Sequence, residues 1–389
     1  MEKERERLRE KEEELNPLTS YEYGFFHQIT EREKIASLPR VFPMETFPLK
    51  FSGIHNALVR SRMFGYQVVE QRLTRAPLYT MSVSYHYMPK DAPRRGSHRH
   101  MQGYLFYITR GRGYEKQENG VEFDFEEGDV FVVPPFVTHQ HFPDPKTGCE
   151  ALVPKPLFPN FLGLSWMEQD EFGTNPKLPP GTDPIMNDQG EMIGFRIKRG
   201  YMGATKDIEV YKGRDARWDE VFKLWRSARP WEDRSPSTTY DHYLKLLAQE
   251  NEELRTAPHV IKGNEIPWEN TRQGRIKFLM GPGRPDSFVG KWTWDLFLQE
   301  IPPGSRSGKH LHMSEELHLI LEGRGYDVQD GVRYDWKKDD LVCIPVGTVH
   351  QHFNTDSEKP AKFISVQPRY WAAFGFGGIL QIEEAPECA

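Results

Sequence analysis

Four residues near the C-terminal end of the chain have the types and spacing to hold a divalent metal ion: His310, His312, Glu316 and His350. Residues two apart on a strand face the same side, so His310 and His312 project together. Gly308 and the Met313-Ser314 step let the chain bend, which carries Glu316 onto the next strand facing the same interior, and Gly323 closes that strand. Pro345, Gly347, His350 and Asn354 then read as a turn into a strand that delivers a third imidazole. Three neutral imidazoles and one carboxylate leave two positions of an octahedral ion open to a substrate, to dioxygen or to both. By the same parity His318 and His352 share this interior. Each is either a residue that orients a ligand, donates to a bound anion or shuttles a proton, or a hydrogen-bonded core histidine.

The same pattern occurs earlier in the chain. Gly96 to Tyr114 reads GSHRHMQGYLFYITRGRGY and Gly308 to Tyr326 reads GKHLHMSEELHLILEGRGY, with ten of nineteen positions identical at an offset of 212. GDVFVVPPFVTHQHF (Gly128 to Phe142) then matches DDLVCIPVGTVHQHF (Asp339 to Phe353) at an offset of 211. Two blocks in one order at one spacing mark a duplicated domain. In the first copy His98, His100 and His139 take the imidazole positions, Tyr104 replaces the glutamate, and His141 is the counterpart of His352. The Pro-x-Gly turn becomes Pro134-Pro135-Phe136, and Pro143 stands for Asn354. This copy is either a structural remnant with Tyr104 filling space, or a second, carboxylate-free metal site.

His-x-His-x3-Glu-x6-Gly followed by Pro-x-Gly-x2-His-x3-Asn resembles the two signature motifs of the cupin superfamily, position by position in the second copy. The resemblance implies a metal site inside each of two small barrels. SHRHMQGYLFYI and GVRYDWKKDDLVCIP are similar, more distantly, to the two barrels of gentisate-type ring-cleaving dioxygenases. Those bicupins carry a three-histidine iron site in the first barrel and a degenerate second barrel. Here the second barrel has the intact set, so the resemblance leaves open which barrel works.

The elements that must place these residues read as β-structure. Thr80 to Tyr87 and Trp292 to Glu300 alternate apolar and polar, and Asn119-Gly120 and Asp330-Gly331 are hairpin signals. The expectation is all-β: two tandem jelly-roll barrels with helical interdomain and N-terminal segments. The boundaries read as an N-terminal arm over 1–50, a barrel over 51–200, a helical linker over 201–270 and a second barrel over 271–389. Within the linker, Trp218, Val221, Phe222 and Trp225 fall at helical spacing. A second helix is predicted with Ser235-Pro236 as its start and Tyr240, Tyr243, Leu244 and Leu247 on one packing face. Residues 154–181 read as a long loop, and the first fifteen residues, with Leu8 and Leu15, as a solvated helix.

Across 389 residues the net charge is −6, with no basic tract, which argues against nucleic acid or an anionic membrane as partner. Three scattered cysteines give no disulfide framework, and the charged start of the chain is unlike a signal peptide. A cytoplasmic homo-oligomer is expected. Arg94, Arg95, Arg112, Arg306 and Arg324 flank the two sites, and any that points inward would clamp a carboxylate, while Arg99 should face outward. The leading expectation is an Fe(II) dioxygenase of a small aromatic or hydroxy/keto acid, with His318 or His352 as acid/base. A Mn- or Zn-dependent decarboxylase, isomerase or lyase, or a non-catalytic binder, are the alternatives. Nickel also suits such donors.

Overall fold

The computed structural model describes residues 33, 35–47, 49–52, 57–64, 78–90, 95–157, 167–173, 178, 180–201, 204–226, 235, 237–284, 293–373, 375 and 377–388. The expected N-terminal helix with Leu8 and Leu15, Arg94, Pro236, and much of the loop over 154–181 lie outside the described residues, as do the side chains of Phe222 and Trp225.

Each repeat curls into a barrel of antiparallel strands. In the second copy a seven-stranded sheet faces a five-stranded one; in the first, one eleven-stranded sheet covers both faces. The difference lies in a single segment. Tyr104–Gln117 runs unbroken through Gly111, whereas its counterpart divides at Gly323 into Glu316–Glu322 and Arg324–Gln329. Both glycines take a left-handed backbone, φ 76° and 84°. A Cβ on Gly111 would lie 2.2 Å from the Gly148 carbonyl oxygen, so only glycine fits there. Asp330 and Gly331, at φ 48° and 82°, turn the hairpin that the Asp-Gly pair predicts.

The strands are buried on both faces, and their pleat separates two kinds of interior. Leu105, Tyr107, Leu152, Leu317, Leu319 and Ile364 belong to one apolar core that both barrels share. The alternate residues Phe106 and Ile108 point into the first barrel, and Ile320 and Phe363 into the second. Each barrel also takes an edge strand from the segment preceding the other. Val41–Pro43 pairs with Asp340–Ile344, and Val260–Ile261 pairs with Val130–Val133. A strand thus replaces irregular or helical backbone at both places, because each open sheet edge offers unpaired amide groups. Residues Thr182–Met186, Met192–Ile197 and Ile208–Tyr211 form a separate three-stranded sheet beyond the first barrel.

The two linker helices span Ala216–Arg226 and Thr239–Thr256. Trp218 packs edge-on against Phe136, ring centres 6.1 Å apart. The second helix starts later than Ser235-Pro236 suggests. The Thr238 hydroxyl accepts the Asp241 N–H at 3.1 Å while the Asp241 carboxylate accepts the Thr238 N–H at 3.0 Å, a reciprocal capping box. Its expected packing face is open: Tyr240 and Tyr243 are 67% and 55% exposed. Among the described residues no helix is long and apolar enough to cross a membrane.

One side chain ties the second barrel's metal-binding turn to the first barrel. Glu315 is fully buried and accepts the backbone N–H groups of Tyr79, Thr80 and Met81 at 2.6, 2.5 and 2.9 Å, together with the Thr80 hydroxyl. Its counterpart in the first copy is Gly103, so the tie runs in one direction only. Glu315→Ala would strip three backbone amides, one buried and two partly buried, of their acceptor. It should lower the unfolding free energy by about 3 kcal/mol or more, measured by urea denaturation.

Candidate metal centres

The pairing of strands builds both histidine clusters the same way. His310 lies directly opposite His350, as His98 lies opposite His139. Ring-centre distances within the triplets are 4.1, 5.5 and 5.0 Å in the second barrel (310–350, 310–312, 312–350). The matching distances in the first barrel are 4.3, 5.6 and 4.9 Å. The first cluster has therefore kept its shape without the glutamate. His310, His312, Glu316 and His350 bring ligand atoms within 4.8 Å of one another, as do His98, His100 and His139.

Backbone carbonyls fix which nitrogen faces inward. The Nδ1–H groups of His100 and His312 donate to the carbonyls of Gln102 and Ser314, two residues ahead, at 2.5 and 2.8 Å. Those of His139 and His350 donate to Val137 and Thr348, two residues behind, at 2.9 Å each. With Nδ1 protonated, Nε2 carries the lone pair, and this is the tautomer a metal requires. The buried Nε2 atom of His139 has no hydrogen-bond partner among the described residues, which suits a nitrogen that can donate its lone pair to a cation.

Electrostatics agree with the geometry. Burial and then the other imidazoles push His310 down to about 2, and burial takes His139 down to about 4, so both rings are neutral near pH 7. Burial alone would raise the Glu316 carboxyl. The surrounding His318, His312 and His350 outweigh it and hold Glu316 well below the usual range, ionised. Its Oε2 lies 3.0 Å from His312 Nε2 and 3.3 Å from His350 Nε2, and its Oε1 accepts the Ser365 hydroxyl.

Around the second cluster His318 Nε2 sits 3.0 Å from Glu316 Oε1, and His352 Nδ1 sits 2.8 Å from Asp327 Oδ1. Trp336 Nε1–H also donates to Asp327 at 2.8 Å. In the first barrel His141 pairs with Glu115, while Phe106 stands where His318 does. The two buried pairs differ in charge. Asp327 is lowered because His352 and Trp336 overcome its burial, whereas burial raises Glu115 well above a normal carboxylate. Tyr104 lies flat on His100, ring centres 3.6 Å apart, with the Lys155 ammonium 4.3 Å from the centre of the Tyr104 ring.

Sequence reading missed Glu115 and Asp327. The available signal was an acidic residue directly after GRGY in both copies. It also misplaced Arg99, which turns away from the imidazoles as expected yet is only 2% exposed. Arg99 is covered by the strand Met167–Gln169 and the helix Ala216–Arg226, through ion pairs to Glu168 and Asp219. Its guanidinium rests 4.0 Å from the centre of Phe136, which holds the left-handed position of Gly347 at φ 59°. That conformation costs a non-glycine residue about 1–2 kcal/mol, and the buried packing of Phe136 offsets it. Of the flanking arginines, Arg112, Arg306 and Arg324 are exposed and face acidic side chains, while Arg95 is buried.

The depressed His139 makes a pH dependence testable. Unfolded histidine takes a proton near 6.5, and folded His139 resists it until about 4, so its contribution is intact above pH 6.5 and is lost as pH falls toward 4. Chelator-treated protein should lose about 3 kcal/mol of stability from this residue between pH 7 and pH 4, read by urea unfolding.

Residues 84–153 and 297–367 each match the family described as Cupin domain. A gentisate 1,2-dioxygenase from Ralstonia is 26% identical over 111 residues, 28% of this chain and 31% of that protein. An acireductone dioxygenase from Leishmania infantum is 37% identical over 86 residues, 20% of this chain and 24% of that protein. The chain thus spans about a third or less of these curated relatives. A solved structure of oxalate decarboxylase superposes with a TM-score of 0.52 at 14% identity, over 89% of this chain and 80% of the other. A mutant of the Bacillus subtilis oxalate decarboxylase gives 0.51 at 13% over the same shares. The chain therefore carries two cupin domains, one around each histidine cluster, on a fold similar to that of the solved oxalate decarboxylase structures.

Proposed function

We propose that this bicupin is an Fe(II)-dependent dioxygenase of a small aromatic, hydroxy or keto acid, and that its second barrel is the working one. The observation that carries the reading is the second cluster itself. Three imidazoles and an ionised carboxylate converge there, and one of these residues, His312, lines an open cleft of about 400 Å³. Small-molecule sites have this size and concavity. The sequence matches to proteins named dioxygenases support oxygen chemistry over the alternatives.

His310, His312, His350 and Glu316 would hold the ion. When bound it supplies a Lewis acid and one-electron chemistry toward dioxygen. The chain's own residues do the rest. Ser365 and His318 orient Glu316, and the backbone carbonyls of Ser314 and Thr348 hold two imidazoles in their ligating tautomer. Asp327 fixes a proton on His352 Nδ1, which leaves Nε2 as the atom that can take or give a proton. Glu316 and Asp327 are both held in the ionised form in this barrel, which would favour a divalent cation there. The first barrel has a raised Glu115 and a buried Arg95 instead, so an ion held by His98, His100 and His139 would be bound less tightly.

His310→Ala should release about one metal ion per chain and abolish oxygen uptake, while His98→Ala should leave most of the uptake in place. Elemental analysis and an oxygen electrode on anaerobically iron-loaded protein, with a panel of phenolic and hydroxy acids, check both. The reverse ranking would assign the chemistry to the first barrel. Acid-dependent release of carbon dioxide without oxygen uptake would replace the dioxygenase reading with the decarboxylase alternative, and binding without turnover would leave a ligand-binding protein.

A further inference from the structure

The cleft over His312 has a lining that selects for a chemical group. Its polar side chains include Asp295, Ser314, Gln367 and Arg369. Asp295 and Arg369 are paired, and both bonds use the same nitrogen, Arg369 Nη1 to Oδ1 at 3.1 Å and to Oδ2 at 2.8 Å. Arg369 Nε–H and Nη2–H therefore donate to no described residue. Gln367 accepts the Ser314 hydroxyl through Oε1 at 3.0 Å, which leaves its Nε2 amide likewise without a described acceptor. Among the described lining residues the one carboxylate, Asp295, is already engaged by Arg369, so these side chains present spare donors and little spare acceptor capacity. Beside them Phe278 and Phe297, direct partners on adjacent strands, lie nearly parallel at 8° with centres 6.1 Å apart, forming a flat apolar wall.

The geometry points to a carboxylate subsite: Arg369 and Gln367 receive the carboxylate of a small planar acid whose body lies along Phe278 and Phe297. Its remaining oxygens then face His312 at the metal end of the cleft. This rests on the reading of the second barrel as a metal centre and specifies what that centre takes. An arginine fork matches a carboxylate's two oxygens, and the amide adds a directional donor. Arg369 directly follows the strand Ala361–Pro368 and is held in place by Asp295, so its remaining N–H groups are positioned before a ligand arrives. Arg95, Arg112, Arg306 and Arg324, which flank the metal motifs in sequence, do not line this cleft.

The test uses full-length protein loaded with zinc, which prevents oxidative turnover, titrated calorimetrically with salicylate and with catechol. Both probes have a ring and a phenolic oxygen, and only salicylate has a carboxylate. Wild type should bind salicylate about tenfold tighter or more. Arg369→Met should remove that preference, with catechol affinity within about twofold of wild type and zinc content unchanged. Because loss of Arg369 leaves Asp295 unpaired, Arg369→Lys and Gln367→Leu are measured alongside. The lysine keeps the ion pair but not the fork, and each variant should weaken salicylate binding by an intermediate factor. Equal binding of the two probes to wild type, or an Arg369→Met variant that still prefers salicylate, overturns the subsite. A protein that retains no zinc yet shows the Arg369-dependent preference upholds the subsite and sinks the metal-centre reading instead.

Discussion

The whole arrangement depends on the pleat of strands buried on both faces. Leu317 and Leu319 enter the core shared by the two barrels, and between them Glu316 and His318 face the interior of the second barrel. A slip of one residue would drive a charged carboxylate into the apolar interface and turn leucines toward the histidines. The interface between the barrels thus fixes the register of the metal ligands. The reciprocal edge strands at 41–43 and 260–261 reinforce it, because each closes the edge of the barrel it does not precede.

Burying Glu316 is the main electrostatic cost of this design. A bare carboxylate in such an interior would take a proton. His318, His312, His350 and the Ser365 hydroxyl surround it closely enough to keep it charged. Asp327 is kept ionised in the same manner by His352 and Trp336. Two anions are stabilised without any lysine or arginine among these partners, by neutral or weakly basic groups whose lone pairs and N–H bonds remain oriented toward the centre.

The duplicated barrel shows what changes when one member of such a network is replaced. The three imidazoles of the first copy keep their mutual spacing, and His100 and His139 keep their carbonyl-fixed tautomers, since these follow from backbone and strand pairing. What differs is charge and access. Tyr104 lies on His100 in place of a carboxylate, Phe106 removes the counterpart of His318, and Glu115 is pushed toward its neutral form. Shape is retained through the backbone, whereas electrostatic character depends on individual side chains and has diverged.

Much of this was legible in the residues. Spacing by twos put His310 with His312, the two matched blocks revealed the duplication, and Asp330-Gly331 announced its turn, because these rest on local backbone geometry that neighbouring residues dictate. Tyr104 in place of a glutamate already marked the first copy as unequal in charge. The remainder needed the tertiary structure. Arg99 alternates out of the histidine face, yet becomes buried because a strand 68 residues later and a helix beyond it cover that surface, and local pattern carries no information about such a cover. Glu315 reads as one of two adjacent acids until Tyr79, Thr80 and Met81 come to it from the other barrel. Asp295 and Arg369, 74 positions apart, meet only because Trp294–Ile301 pairs with Ala361–Pro368. The sequence alone determined which atoms are able to bind a metal; long-range strand pairing and burial decided what surrounds them, because charge state and access depend on residues that are distant along the chain.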